Sequence, residues 1–84
     1  MLVHLSKAGE TAIGVSVSKK HGHAVVRNRI KRLLRAAYYP LYEKIEKGHL
    51  IIFVPKVAES YSFDVFQTDV RYLLRKENLL SDVE

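Results

Sequence analysis

Several common features are absent from this sequence of 84 residues, and each absence narrows its class. Cysteine is absent, which excludes disulfides and thiolate metal sites. Four glycines and two prolines are too few for a generally disordered chain. No apolar run approaches the ~18 residues of a membrane span, and Met1–Leu5 has neither a basic leader nor a cleavage site. We therefore expect one domain, residues 1–84, that is cytoplasmic and has no membrane partner.

Acidic residues are absent from residues 19–35, here called the basic segment. The other 67 residues carry seven basic and nine acidic side chains, so the basic segment accounts for the whole excess behind the net charge of +5. Such a concentration of positive charge predicts binding to a polyanion, most often nucleic acid. The alternative is a solvated helix face, although such faces usually mix both signs. The cations are Lys19, Lys20, Arg27, Arg29, Lys31, Arg32 and Arg35.

Two strands are predicted in the first eighteen residues. Residues 1–6 form the first, and residues 7–10 are interpreted as a hairpin loop in which Gly9 supplies a positive φ. Residues 11–18 alternate between apolar and small side chains, which predicts a second strand. Its small face leaves room for a helix or a ligand. The apolar face holds Ile13, Val15 and Val17, and the small face holds Ala12, Gly14, Ser16 and Ser18.

A long helix is predicted over residues 23–46, with Pro40 kinking or restarting it and Gly48 ending it. At about 100° per residue, most of the basic side chains lie opposite an apolar stripe. The helix can therefore bury one side and present the other to a partner. The stripe consists of Val26, Ile30, Leu33, Leu34, Ala37, Leu41 and Ile45.

The rest of the chain predicts one further strand and one further helix. Residues 50–54 form a continuous apolar run, which is typical of a strand covered on both faces and parallel to its predecessor. Ser60 or Ser62 can cap a final helix that continues to about Lys76. We interpret the aromatic and aliphatic side chains of that helix as core: Phe63, Phe66, Val70, Leu73 and Leu74.

No catalytic constellation is visible in the sequence. His21 and His23 are only two histidines, without a third ligand or a nearby carboxylate, so they are weak evidence for a metal. A turn before the helix, with an unusual φ at Gly22 and the histidines near phosphate, explains them better. We therefore predict no catalytic residues, no metal ligands and no bound cofactor. A stand-alone metal nuclease using these histidines remains an alternative.

Residues 16–35 carry a specific motif, a serine and a Lys-Lys turn followed by a helix with Arg-Asn-Arg and then Lys-Arg. This stretch resembles the protein component of bacterial ribonuclease P. The later strand, the proline after it and the last helix follow the same order, so the resemblance covers most of residues 1–80. His23 stands where the family commonly has asparagine. The matching positions are Ser16, Lys19, Lys20, Gly22, Ala24, Val25, Arg27, Asn28, Arg29, Lys31, Arg32 and Arg35.

The resemblance implies a non-catalytic subunit of an endoribonuclease. In that family the RNA subunit, ribonuclease P RNA, cleaves the 5′ leader from precursor tRNA, using magnesium bound to the RNA. The implied RNA-binding residues are Lys19, Lys20, Arg27, Asn28, Arg29, Lys31, Arg32 and Arg35. A groove between the helix and the sheet would hold the leader, with Leu2, His4, Ser16 and Ser18 as candidates. A stand-alone or ribosome-associated RNA-binding module is the second alternative.

The resemblance also implies an α+β fold, a small two-layer sandwich similar to a ribosomal-protein domain. Its βαβ crossover would be left-handed, whereas about 98% of such crossovers are right-handed. Family members usually begin with an N-terminal stretch of basic residues, which this chain lacks, and a first helix. This chain starts at Met1, in the later half of the first strand, so we expect that helix to be missing, through a late start or a fragment. An exposed apolar patch beside Leu2 and His4, and weaker leader binding, should follow.

Overall fold

The structure is a computed structural model that describes residues 1–80. It contains three strands and two α-helices, which confirms the α+β class. Two short 3-10 turns, Lys19–His21 and Tyr39–Lys44, precede and follow the first helix. The main elements are β1 (Leu2–Lys7), β2 (Ala12–Val15), α1 (Ala24–Tyr38), β3 (His49–Val54) and α2 (Phe63–Lys76). Within residues 1–80, neither helix is long and apolar enough to cross a membrane.

The three strands form one sheet in the order β1-β3-β2. The middle strand, β3, is antiparallel to β1 and parallel to β2, so the predicted parallel pairing is confirmed. The predicted hairpin at residues 7–10 is wrong, because β3 lies between β1 and β2 and the loop spans two strand spacings, about 10 Å. Nor does Gly9 have a positive φ; that conformation falls on Gly48 instead, at +87°.

One face of the sheet packs against both helices. Ile51 and Phe53 of β3 are fully buried in a core shared with Ile30 and Leu34 of α1 and with Phe66, Val70 and Leu74 of α2. The ring of Tyr38, the last residue of α1, stacks on Phe53 with 6.0 Å between centroids. Because the apolar residues of β1 and β2 pair in register with these two positions, all three strands contribute to the same core. The fold is therefore the predicted two-layer sandwich.

The opposite face of the sheet, here called the open face, has no helix on it within residues 1–80. The prediction that β3 is covered on both faces is wrong, since Leu50 is 37% exposed whereas Ile51 beside it is fully buried. Leu2 is 63% exposed and His4 is exposed beside it. Leu2 is therefore exposed beside His4, as predicted, and the extent of an apolar patch there stays a prediction. The open face also contains Ser6, Ala12, Gly14, Ile52 and Val54.

The predicted helix 23–46 is shorter than expected. It ends at Tyr38, and the 3-10 turn continues the chain through Leu41. Pro40 has no N–H to bond the carbonyl four residues earlier, so the α-helical hydrogen bonding stops there. Every member of the predicted apolar stripe is nevertheless in the core or packed against it. Ser62 caps the final helix, since its Oγ accepts from the backbone N–H of Val65 at 3.3 Å. The helix begins at Phe63 and ends at Lys76, as predicted.

Candidate nucleic-acid interface

The basic segment is built from a tight turn followed directly by α1. Ser18 begins the turn, and its Oγ accepts a hydrogen bond from the backbone N–H of Lys20 at 3.3 Å. Gly22 then reverses the chain with φ +129°, which confirms the predicted unusual conformation. A Cβ at this glycine would lie only 3.0 Å from the Cβ of Val26. Only glycine therefore allows the chain to enter the helix so close to the turn.

Helical geometry points Asn28 and the five basic side chains of α1 in three directions around the helix. At about 100° per residue, Asn28, Arg32 and Arg35 point away from the buried stripe, and all three are exposed. Arg27 and Lys31 share one flank and are half-buried. The remaining arginine, Arg29, lies about 200° around the helix from Arg27, on the other flank, and is exposed. The segment therefore presents cations over a wide arc.

A groove runs between the end of β2 and the first turns of α1. Arg27, Asn28 and Lys31 line it together with Val17 and Ala24, and its volume is about 270 Å³. We call it the α1 groove. It brings together three of the predicted RNA-binding residues against an apolar wall. Val17 and Ala24 were not predicted as site residues; the alternation of residues 11–18 marked Val17 only as a core side chain.

Three of the predicted leader-groove residues lie around the open face, and the predicted groove between the helix and the sheet does not hold Leu2 and His4, because these two lie on the side of the sheet away from α1. Leu2 and His4 are on β1, where His4 pairs with Ile52. Ser16 follows β2, and its backbone N–H donates to the carbonyl of Phe53 at 2.9 Å. Ile52 occupies the space beside Gly14, because a Cβ at Gly14 would lie 3.2 Å from Ile52 Cδ1. These candidates therefore surround one shallow surface that is mostly apolar.

Ser18, the fourth candidate for the leader groove, is in a different situation. It lies beyond the sheet ladder, and its hydroxyl caps the turn. Ser18 therefore shapes the backbone of the turn that carries the two lysines, and it is not among the residues that line the α1 groove.

Arg29 lines a second cleft on the other side of α1. His21, Val26 and residues 58–61 form the rest of its wall. We call this the loop cleft. In it, the hydroxyl of Tyr61 accepts from the backbone N–H of Ala58 at 2.9 Å, which holds the loop in place. The sequence pattern does not indicate that Arg27 and Arg29 line different clefts, because the loop cleft depends on where the loop after β3 packs.

The cations of the basic segment are not neutralised by any carboxylate of the part of the chain that the structure describes, since none of them forms an ion pair there. Two of the seven are half-buried and five are exposed, so their charges remain available to a partner. Unpaired like charges repel one another, and a polyanion relieves that repulsion.

The two histidines of the turn do not form a metal site. His21 is buried with 9% of its surface exposed, and both of its ring nitrogens contact the backbone: Nδ1 lies 3.0 Å from the N–H of Ser18, and Nε2 lies 2.7 Å from the carbonyl oxygen of Pro55. His23 is exposed and makes no side-chain cap. Over the described part of the chain, no three His, Asp or Glu side chains come together. These residues therefore do not fit a bound magnesium ion.

Comparison with known proteins gives consistent matches. The family profile described as Ribonuclease P matches residues 1–78. The ribonuclease P protein component of Bacillus velezensis is 42% identical over 73 residues, which cover 87% of this chain and 63% of that protein. The same component of Clostridium kluyveri is 35% identical over 82 residues, covering 94% of this chain and 73% of that protein. The chain thus spans a little under two thirds of the first of these relatives.

Solved structures of the same kind of protein share the fold. The RNase P protein from Thermotoga maritima superposes with a TM-score of 0.77 at 27% identity, covering 88% of this chain and 74% of that one. The Staphylococcus aureus RNase P protein gives a TM-score of 0.79 at 26% identity, covering 94% and 75% of the two chains. The family match over residues 1–78, the shared fold and the basic turn and helix lead to one conclusion: the chain belongs to the ribonuclease P protein family.

Proposed function

We propose that this chain is the protein subunit of ribonuclease P. In this role it binds the catalytic RNA and the 5′ leader of precursor tRNA, and so assists maturation of the tRNA 5′ end. The observation that carries the proposal is the set of unpaired cations in the basic segment beside the α1 groove and the open face. The chemistry of cleavage is assigned to the RNA subunit and its magnesium. The protein contributes affinity and position.

The geometry of the site suits two RNA partners at once. The outward-pointing side chains of α1 can contact one phosphate backbone, while the α1 groove can take a second strand. Each phosphate contact by Lys or Arg releases condensed counterions, which drives binding. The planar guanidinium groups of Arg27 and Arg32 can donate two parallel hydrogen bonds to a phosphate. Asn28 can donate to a sugar or to a base edge.

The open face is proposed to guide the leader. A single-stranded leader exposes both phosphates and bases. The cations of the α1 groove suit the phosphates, while Leu2 and Ile52 offer an apolar surface for the bases, and the His4 ring can stack. Gly14 has no side chain and Ser16 has a small one, so on the β2 side a strand would meet Ile52, which lies against Gly14.

Reconstitution is the direct test of the proposed function. We expect the chain to increase cleavage of precursor tRNA by a bacterial ribonuclease P RNA at low magnesium, where repulsion between the two RNAs is greatest. Without that RNA, the protein should not cleave precursor tRNA in magnesium or zinc, because the described side chains offer no metal cluster. Denaturing gels that resolve the leader from the mature tRNA measure both results.

The control is a variant with His21→Gln and His23→Gln, assayed without the RNA subunit. Robust cleavage by the protein alone, lost in this variant, would establish the metal-nuclease alternative. Binding of RNA without any stimulation of the ribozyme would instead support a separate RNA-binding module. Stimulation that depends on the RNA subunit is expected only for the proposed role.

A further prediction separates the two flanks of α1. Arg27→Ala should weaken binding of precursor tRNA with a leader more than binding of mature tRNA, both measured in the assembled ribonucleoprotein, because Arg27 lines the α1 groove. Arg29→Ala should not show that difference, since Arg29 lines the loop cleft. Each variant should also weaken binding to the ribozyme RNA and lower the salt slope by about 1. Melting temperatures should change little, because neither arginine is in the buried core.

Filter binding of labelled RNAs over a series of salt concentrations gives both quantities. If the two variants lose affinity for precursor tRNA relative to mature tRNA to the same extent, the α1 groove does not recognise the leader. Unchanged affinity of both variants for the ribozyme RNA would show that α1 is not the binding surface.

A further inference from the structure

His21 stands apart from the rest of the basic segment by its burial and its hydrogen bonds. It is the only polar or charged residue buried in the described part of the chain, although it lies directly after the two exposed lysines of the turn. Its Nε2 lies 2.7 Å from the carbonyl oxygen of Pro55, 34 positions away in the sequence. Pro55 follows β3, the central strand, and is itself buried. The side chain therefore links the lysine turn to the centre of the sheet.

The hydrogen bonds determine which ring nitrogen carries the proton. The carbonyl oxygen of Pro55 can only accept, so Nε2 must carry hydrogen and donate. The backbone N–H of Ser18 donates to Nδ1 at 3.0 Å, so Nδ1 must be unprotonated. Both bonds form together only in the neutral Nε2–H tautomer. One end of the ring thus holds the start of the turn, and the other end holds the sheet.

Among the described residues, His21 makes the one hydrogen bond that joins residues 18–22 to the end of β3, although the chain just before the turn is also tied to β3, through the N–H of Ser16 and the carbonyl of Phe53. The remaining hydrogen bonds of the turn are local: the N–H of His21 donates to the carbonyl of Ser18 at 2.9 Å, and the N–H of Gly22 donates to that of Lys19 at 3.1 Å. These bonds shape the turn without fixing its position. Lys19 and Lys20 are exposed, so their own side chains do not provide an anchor in the core.

We propose that His21 is a positioning residue for RNA binding, which acts by holding Lys19 and Lys20 in place through its bond to Pro55. The inference rests on the proposed function, because it assumes that the two lysines contact RNA. Preorganisation is the physical basis: a cation on a turn that is already held in place loses less conformational entropy on binding than one on a mobile turn. His21 itself need not touch the RNA.

Two substitutions separate the two ends of the ring. Glutamine extends far enough to place its amide N–H near the position of Nε2, so His21→Gln can keep the bond to Pro55. Asparagine is shorter and places its amide oxygen near the position of Nδ1, so His21→Asn can keep the bond from Ser18 but cannot reach Pro55. Each variant retains one of the two anchors, and both are uncharged.

The test measures the affinity of the complete chain for a bacterial ribonuclease P RNA over a series of salt concentrations. The reference is the double variant Lys19→Ala and Lys20→Ala, which should lower the salt slope by about 2 if both lysines contact phosphate. His21→Asn should bind about threefold to tenfold more weakly than the parent. Its salt slope should fall by part of the amount lost in the double lysine variant. His21→Gln should recover most of the affinity. Circular dichroism establishes a temperature at which each variant is folded.

A double-mutant cycle distinguishes positioning from a general loss of structure. If His21 acts through the lysines, His21→Asn should have no further effect on affinity in the Lys19→Ala, Lys20→Ala background. An equal loss in both backgrounds would overturn the proposal, as would an asparagine variant that binds as well as the parent. If the double lysine variant binds like the parent while the parent binds RNA in a salt-dependent way, the positioning role fails and the proposed function stands.

One measurement needs no substitution and remains decisive if the asparagine variant does not fold. Long-range ¹H–¹⁵N NMR spectra of the parent should show His21 as the Nε2–H tautomer, both free and bound to RNA. A protonated ring or the Nδ1–H tautomer in the bound state would contradict the tether, because the bond from Ser18 requires an unprotonated Nδ1.

Discussion

Ile51→Ala is expected to lower the free energy of unfolding by about 2–5 kcal/mol. Ile51 is fully buried at the centre of the middle strand, between the two helices and the paired residues Leu5 and Ile13. Truncation removes three carbons from a site whose neighbours come from four elements, so the cavity cannot close by moving one of them. Stabilities of 5–15 kcal/mol are usual for folded domains, and this small one should lose much of its margin.

The adjacent residue provides a matched control. Leu50→Ala also removes three carbons from the same strand, but Leu50 lies on the open face and is 37% exposed. We expect it to cost about 1–2 kcal/mol, less than Ile51→Ala, because Leu50 is already partly in water and its truncation leaves no enclosed cavity. Urea unfolding followed by circular dichroism measures both variants. Should Ile51→Ala not fold, Ile51→Val should still cost about 0.5–1.5 kcal/mol. Similar losses at the two positions would mean that the open face is covered in solution.

These two residues also show where sequence patterns are informative and where they are not. The stripe of α1 was predicted correctly, because a period of 3.6 residues specifies one buried side directly. The apolar run of β3 was misread as covered on both faces, because a run without alternation does not indicate how many layers pack on the sheet. The alternation of β2 correctly separated Val15 from Gly14, since a period of two is a property of a single strand.

The topology depended on information that local patterns do not contain. Residues 7–10 have the composition of a hairpin loop, but composition does not determine which strand pairs with which. In the fold, β3 lies between β1 and β2. This position places the most apolar strand of the chain in the middle of the sheet. The predicted positive φ at Gly9 was lost with the hairpin. The hand of the β2-α1-β3 crossover stays a prediction.

The sequence predicted the cluster of positive charge at the candidate site but not the clefts that its side chains line. A segment with seven cations and no acid is visible in the sequence. That Arg27 and Arg29 line different clefts depends on Val17 and on the loop at residues 58–61, which approach α1 only in the folded chain. The sequence does indicate one contact of His21, because a serine three residues before a side chain that can bond back to it is a known capping pattern. Nothing in the sequence indicates that Pro55 is the other partner of His21.

The largest effect on binding is expected from removing the exposed arginines of α1 together. The triple variant Arg29→Ala, Arg32→Ala and Arg35→Ala should lower affinity for a bacterial ribonuclease P RNA by at least about 100-fold at moderate salt, and lower the salt slope by about 3. All three side chains are exposed, and alanine is at least as good a helix former as arginine. Thermal unfolding should therefore change little.

A control must distinguish the effect of losing three positive charges from the effect of losing them on α1. The control variant Lys7→Ala, Lys44→Ala and Lys56→Ala also removes three positive charges, from exposed positions outside the basic segment. If binding depends on the position of α1 against the RNA, the control should lose far less affinity and keep most of its salt slope. If the two variants weaken binding equally, the RNA responds only to net charge, and α1 is not the interface. Phosphate contacts act over short distances because salt screens charges beyond about 8–10 Å, so we expect the difference between the variants to persist at physiological ionic strength.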